Sequence, residues 1–296
     1  MTLHGWLNID KPAGITSYGV IARLKRLAGQ RHIGHAGTLD PLATGVLPVA
    51  FGQAARTIEF LHLVSKTYRA VIELGVETDT LDAEGNVVFR TDVSSIDRTA
   101  VETGLRPFIG AIEQVPPMYS ALKQNGRPLY ELARAGETVE VKPRTVVIYR
   151  LELIDFISPY VTIDVECGSG TYIRSIARDL GQHLGAGAHL KSLRRTQYGP
   201  FDITESIPLE SLQSASDVEA ALSPVDIALG HLPSLVLDQN STQNVYHGVV
   251  TPELSSQFVG KTIYALYGQG GKLVGIVDVS TPDFRLKVFN QPSVDS

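Results

Sequence analysis

Gly34-His35-Ala36-Gly37-Thr38-Leu39-Asp40-Pro41-Leu42-Ala43-Thr44-Gly45-Val46-Leu47-Pro48-Val49 is the stretch around which this chain is organised. Its three glycines and two prolines exclude a long regular helix. Pro41 keeps Asp40 out of the α region, so the carboxylate sits on extended or turn backbone. Gly37 and Gly45, on either side, let another molecule's ring or backbone come close. The apolar run Val46-Leu47-Pro48-Val49-Ala50 then anchors the loop to a core. A rigid loop presenting one carboxylate suits a nucleophile or a general base. An Asp-Pro pair serves equally well as a structural turn closed by an Asx-type hydrogen bond. On these residues alone both readings stand.

The bulk properties narrow the field. At 296 residues the chain is long for one core, so a large domain and a small one are expected. With 43% hydrophobic and 19% charged residues it is globular. No apolar run is long enough to span a bilayer and no signal-peptide pattern precedes Trp6, so a cytoplasmic location without a membrane partner is expected. The single cysteine, Cys167, excludes an internal disulfide and a thiolate metal cluster. A net charge of −5 argues mildly against nucleic acid, but distribution matters more than the total. Lys11, Arg23, Lys25, Arg26 and Arg31 lie between Asp10 and Asp40 with no intervening acid. Lys191, Arg194 and Arg195 form a second basic island, and Lys123, Arg127, Lys142 and Arg144 a third. Three such islands fit an RNA-tracking groove, and each also fits an ordinary solvated surface.

Taken in order, residues 5–10 read as a strand. Thr16 or Ser17 caps a helix running to Ala28 with Val20, Ile21, Leu24 and Leu27 inward, and Gly29 ends it. A strand from Val46 to Phe51, a helix from Gln53 to Leu63 and a strand from Tyr68 to Leu74 follow. Asp82 to Asn86 reads as a hairpin turn leading into Val87–Phe89, and the acids around it lack the flanking pattern of a calcium loop. A helix ends near Leu105. Residues 114–144 are irregular around one short helix from Pro128 to Ala135, as expected of a functional insertion. Strands at 146–154 and 160–167 alternate, and Gly168-Ser169-Gly170 turns into a helix at 171–184 with Ile173, Ile176, Ala177 and Leu180 inward. Past Pro233, short β-like segments separated by Gly-rich turns suggest a satellite β domain.

Several polar residues stand out. Arg174, on the first turn of a helix, is either a snorkelling surface arginine or a partner that reaches Asp40, lowers its pKa and fixes its orientation. Tyr68 sits on a strand between Lys66 and Arg69. His32 and His35 with Asp40 nearby invite a metal reading, although no helix fixes the pair on one face.

His35 to Leu47 resembles, nearly residue for residue, the catalytic loop of the bacterial tRNA pseudouridine-55 synthases, the TruB family. Leu7-Asn8-Ile9-Asp10-Lys11-Pro12-Ala13-Gly14-Ile15-Thr16-Ser17, Lys66-Thr67-Tyr68-Arg69 and Pro117-Met118-Tyr119-Ser120-Ala121-Leu122-Lys123 resemble further motifs of that family. So do Gly170-Thr171-Tyr172-Ile173-Arg174-Ser175 and Leu193-Arg194-Arg195-Thr196, all in the family's order. The resemblance implies an α+β fold with a mixed, mainly antiparallel sheet flanked by helices and loops. It implies a catalytic domain over 1–230 with an RNA-clamping insertion at 114–144, and a small PUA-like domain over 231–296.

The resemblance also implies an isomerase acting on the T-loop uridine at position 55 of tRNA, a monomer needing no cofactor and no metal. Asp40, Tyr68 and Arg174 would then be catalytic. Tyr68 would stack on the target base and is a candidate to take the C5 proton. Tyr172 and Leu193 would wall the uracil pocket, and His35 would pack where the flipped nucleotide has left the RNA. Lys11 would support the loop or the RNA backbone, and Lys66 would contact substrate. Two other functions stay open at this point: a non-catalytic RNA-binding or tRNA-folding protein, and a metal-dependent phosphoryl-transfer or hydrolytic enzyme using His32, His35 and Asp40. The segment Asn240–Gly248 is poorer in basic residues than the family's RNA-binding tail would suggest.

Overall fold

The computed structural model describes residues 2–289 except Ala121, Asn125, Glu137, Thr138, Lys261, Pro282 and Asp283. Ala121 of the Pro117–Lys123 motif, and the side chain of Lys123 counted in the third basic island, lie outside what is described. The chain opens with β1 (Gly5–Lys11), α1 (Ser17–Ala28), β2 (Ile33–His35), β3 (Thr44–Phe51) and a 3-10 helix (Gly52–Leu63). Next come β4 (Lys66–Leu74), β5 (Val76–Thr78), β6 (Val87–Arg90), α2 (Arg98–Leu105) and β7 (Gly110–Gln114). The insertion carries β8 (Lys123–Gln124), β9 (Arg127–Pro128) and α3 (Leu129–Arg134). Then follow β10 (Arg144–Ile157), β11 (Tyr160–Cys167), α4 (Ile173–His183), β12 (Ala188–Tyr198), β13 (Phe201–Asp202), β14 (Ile207–Pro208) and α5 (Ala215–Ala220). The last part holds β15 (Ser234–Leu237), α6 (Gln239–Tyr246), α7 (Pro252–Ser255), β16 (Ile263–Gly268), β17 (Leu273–Asp278) and β18 (Arg285–Val288).

Ten strands form one mixed sheet with the path β14-β1-β3-β12-β4-β11-β10-β7, with β13 beside β12 and β2 beside β3. All pairs are antiparallel except β1 with β14 and β12 with β3. The helices cover one face: Val20, Ile21 and Leu24 of α1, Val101 of α2, and Ile176 and Leu180 of α4 share a core with Leu7, Leu47, Ile72 and Ile163. The 3-10 helix covers part of the other face, where Ala54 and Leu61 meet Trp6, Val46, Tyr198 and Phe201. Thr16 caps α1 by accepting from the Gly19 N–H, and Gly29 ends it in the left-handed region.

Two elements of the large sheet and its cover differ most from the sequence reading. Residues 52–63 are 3-10 rather than α-helical, with Ala54, Thr57, Phe60 and Leu61 buried. The strand Ala188–Tyr198 lies in the middle of the sheet, yet no alternation announces it. Irregularities between Leu190 and Ser192 and between Arg195 and Gln197 break its two-residue period.

A separate four-stranded sheet, β15-β16-β17-β18, has its own core of Leu237, Val245, Leu254, Leu266, Val274 and Val277. It meets the larger body through Phe60, Leu229, Ala265, Ile276 and Phe289, and Lys287 pairs with Glu59 alongside.

The join between β3 and β12 depends on Gly45. Its φ is +97°, and a Cβ there would fall on the carbonyl oxygen of Arg195, its register partner. Gly45→Ala is therefore expected to cost about 2 kcal/mol or more. Thermal unfolding would show a midpoint lowered by about 5 °C, and an unchanged midpoint would mean that the two strands separate there without penalty.

Candidate active site

The Asp40 loop is the long tip of a hairpin. Ile33, Gly34 and His35 of β2 pair with Phe51, Ala50 and Val49 of β3, and the Ala36 N–H donates to the Pro48 carbonyl at 2.9 Å. Residues from the amino-terminal motif grip the apex. The Ser17 hydroxyl accepts from the Leu39 N–H (2.9 Å) and donates to the Leu39 carbonyl (3.1 Å). On the other side of Asp40, the Gly14 N–H (2.8 Å) and Lys11 Nζ (3.2 Å) donate to the Pro41 carbonyl. The Ala43 N–H closes the turn on the Asp40 carbonyl at 3.1 Å. Arg195, fully buried, braces both ends of the loop: Nε donates to Val46 O (2.6 Å) and Nη2 to Gly37 O (2.9 Å).

Arg174 answers the carboxylate. It leaves the first turn of α4, is 5% exposed, and places Nη2 2.9 Å from Asp40 Oδ2. The guanidinium is over-determined, donating also to Tyr119 O (2.8 Å) and Thr80 O (3.1 Å) and lying 3.4 Å from Asp82 Oδ2. Such a buried charge is tolerable only when paired and hydrogen-bonded throughout. Asp82 is itself held, accepting from Thr80 Oγ1 (2.6 Å) and the Glu84 N–H (3.1 Å). Between Thr80 and Asp82, Leu81 has φ of 64°, the sole positive φ outside glycine among the described residues. Strained backbone at such a place is the usual mark of a functional constraint.

The sequence reading expected Arg174 to pull the pKa of Asp40 down. It does, but the balance goes the other way: burial pushes the carboxyl above its ordinary value and the Asp82 charge adds to that, against the pull of Arg174 and Lys11. Although surrounded closely enough for burial to dominate its pKa, Asp40 keeps 37% of its side chain exposed.

The other expected site residues divide into two groups. Tyr68 on β4 pairs in register with Arg195, and burial holds its phenol protonated against the pull of that guanidinium. Tyr172 caps α4 without a side-chain bond, and its phenol is also raised by burial. The Asp40 charge acts on both rings. Leu193, mostly buried on β12, lies opposite Ala70 of β4. His35 is held neutral by burial and by Arg195, and its Nδ1 is buried without a partner.

Lys11, expected to support the loop or the RNA backbone, and Lys66, expected to contact substrate, both lie buried. Lys11 is fully buried, donates to Pro12 O and Pro41 O, and is lowered to about 8 by burial. Lys66 donates to Ser169 Oγ (2.9 Å), lies over the Tyr198 ring, and is also lowered to about 8 by burial. Lys11 braces the loop directly through Pro41 O, and Lys66 bonds the turn before α4 through Ser169.

The second basic island is a surface one only in part. Lys191 pairs with Glu73 (2.8 Å), Arg194 with Asp10 (2.7 Å), and Arg195 is inside. Arg26 and Arg31 of the first island, and Arg127, Lys142 and Arg144 of the third, stay exposed. His32 is exposed, and among the described residues no group of three or more His, Cys, Asp or Glu side chains is placed to hold a metal ion. The His32–His35–Asp40 reading therefore gains no ligand cluster. Thr80 and Asp82 were passed over in the sequence, where they sit in an acid-rich turn with nothing to mark them as partners of a residue more than ninety positions away.

Comparison with known proteins decides what this arrangement belongs to. The model of the TruB family pseudouridylate synthase N-terminal domain matches residues 25–173, and that of the tRNA pseudouridylate synthase B C-terminal domain matches 174–230. The chain belongs to the TruB family. Among curated relatives, tRNA pseudouridine synthase B of Dehalococcoides mccartyi is 45% identical, over 94% of this chain and 93% of its own. That of Stutzerimonas stutzeri is 44% identical over 94% and 92%. Among solved structures, a chain of a Cbf5-Nop10-Gar1 complex superposes with a TM-score of 0.73 at 26% identity, covering 97% of this chain and 84% of that one. The TruB family is an isomerase family, and its mixed α+β architecture is the one seen here. No helix among the described residues is long and apolar enough to cross a membrane.

If an ionised Asp40 does the chemistry, the single-turnover rate should rise with pH through a midpoint above the ordinary aspartate value of 3.8. Asp82→Asn should move that midpoint to lower pH, because the Asp82 charge helps to raise it. The same change should lower the plateau about tenfold as Arg174 loses a partner. A rate–pH profile identical to that of the wild type would separate Asp82 from the carboxylate.

Proposed function

We propose that this chain converts the T-loop uridine at position 55 of tRNA to pseudouridine, with Asp40 as the nucleophile on a flipped-out nucleotide. The observation that carries the reading is the 2.9 Å Arg174–Asp40 pair at the tip of a loop braced on every side, with Tyr68 and Tyr172 within the field of the carboxylate. The printed names of the relatives supply the substrate class, tRNA.

The reaction breaks the uridine N1–C1′ bond, turns the base and joins C5 to C1′; the C5 proton leaves and N1 gains one. Atoms and electrons balance within the nucleotide, so the chain's own acids and bases suffice. An ionised carboxylate serves attack at C1′, addition at C6 or assistance to a glycal equally well. Arg174 holds it in one orientation, so its entropy is spent before substrate arrives. Tyr68, whose phenol is protonated in the free protein, offers a flat face for the base and a hydroxyl beside Arg195, which favours phenolate when a proton must be taken from C5. Tyr172 and Leu193 wall the uracil pocket, and His35 packs against RNA vacated by the flipped nucleotide. Lys11 acts by holding the loop and Lys66 by holding the turn before α4.

The catalytic domain spans 1–230, with the insertion at 114–144 closing on the T-arm. The sheet after residue 230 is a PUA-like domain that touches tRNA elsewhere. The protein works as a monomer in the cytoplasm.

The test uses unmodified tRNA carrying tritium at C5 of its uridines, in the presence of chelator. One equivalent of tritium per tRNA should be released, and none from tRNA whose T-loop uridine is replaced by cytidine. Binding without release would favour the non-catalytic tRNA-folding function, and release from a different uridine would overturn the assignment of position 55.

A further inference from the structure

We propose that Gln114 is a positioning residue for this site: its carboxamide sets the backbone of Tyr172 and, through it, the first turn of α4 that presents Arg174. The inference rests on the uridine-isomerase reading and adds to it a residue outside the motifs that suggested it. Gln114 is 1% exposed and is the last residue of β7, in register with Arg144 at the start of β10. It therefore stands where the insertion leaves and rejoins the sheet.

Its side chain makes a two-point contact that imitates a peptide group. Oε1 accepts from the Tyr172 N–H at 2.8 Å, and Nε2 donates to the Tyr172 carbonyl at 3.1 Å. Tyr172 has no side-chain cap of its own, and its φ of −105° and ψ of 111° lie outside the helix that it opens. The Gln114 amide thus fixes the peptide planes on both sides of the Tyr172 Cα, and with them the direction of the ring. The same Tyr172 carbonyl accepts from the Ser175 and Ile176 N–H groups, so the contact is shared with the start of the helical ladder.

Neighbouring contacts extend the coupling. The Val115 carbonyl accepts from Ser175 Oγ (2.8 Å) and Arg178 Nη2 (3.2 Å), and Tyr119 O accepts from the same Arg174 nitrogen that meets Asp40. Those acceptors are backbone groups. Gln114 contributes a side chain, and the carboxamide is the chemistry that can serve an N–H and a C=O together. A glutamate keeps the acceptor and loses the donor, while a methionine loses both and leaves a buried N–H unpaired.

The test compares wild type, Gln114→Glu and Gln114→Met in single-turnover tritium release from C5-labelled tRNA at saturating protein, with tRNA Kd measured in parallel. All are read at a temperature well below each protein's thermal midpoint. Gln114→Met should lose at least about tenfold in rate at saturation while Kd stays within about twofold, since small displacements at a reacting centre cost rate rather than affinity. Gln114→Glu, nearly the same shape, should lose less than Gln114→Met but still fall below wild type. Wild-type rates at saturation in both variants would overturn the inference, as would a rise in Kd with the saturated rate preserved. If Gln114→Met does not fold, the Gln114→Glu comparison decides alone. Absence of release by wild type would instead sink the isomerase reading itself, and this inference with it.

Discussion

A carboxylate held against a buried guanidinium is the constraint on which the rest of this structure depends. Arg174 is tolerated in the interior only by finding acceptors on every side, and it finds them on three separate segments: Asp40, Thr80 with Asp82, and Tyr119. None of these segments is regular at the point of contact. Each is instead fixed from behind, the Asp40 loop by Ser17, Lys11 and Arg195, and the 80–82 turn by bonds to Asp82 and by the Leu190 N–H donating to Leu81 O. The order of the sheet serves the same end. Placing β12 parallel to β3 brings Arg195 beneath the loop, and placing β4 on the other side of β12 brings Tyr68 beside Arg195.

Electrostatics make the site reactive at some cost in comfort. Burial and the Asp82 charge raise the Asp40 pKa, while Arg174 and Lys11 oppose them. The carboxylate is therefore a stronger base than an exposed aspartate, yet it is kept oriented by a cation that cannot lose its proton. The two lysines beneath the loop are lowered to about 8 by the same burial. Each is tied down by a hydrogen bond, Lys11 to Pro41 O and Lys66 to Ser169 Oγ.

Much of this was legible in the residues, for physical reasons that also explain the gaps. Caps and amphipathic spacing marked α1 and α4, and alternation marked β4 and β11. The glycines and prolines of 34–49 marked a rigid loop around Asp40. Residues 52–63 read as an α-helix because the buried positions Ala54, Thr57 and Leu61 also fit a helix of ordinary pitch. The strand Ala188–Tyr198 was missed because it is irregular and carries Arg194 and Arg195, charges that read as surface although one is paired and the other is inside. For Lys11 the resemblance left two roles open, support of the loop or of the RNA backbone, and its bond to Pro41 O fits the first. Composition reports charge but not burial, and a buried cation bonded to carbonyl oxygens looks, in the sequence, like any surface one. Asp82 was hidden for the opposite reason, since an acid in a turn is the commonest of surface features.

The central claim is that Asp40, and not the basic surface around it, makes this chain an enzyme. The direct measurement is tritium release from C5-labelled T-arm RNA by wild type and Asp40→Asn side by side, with binding of the same RNA followed by filter retention. Asparagine keeps the shape of the side chain and an acceptor for Arg174 but removes the charge. The account predicts release by wild type alone, with RNA affinity retained by both. Release by Asp40→Asn at the wild-type rate would contradict it.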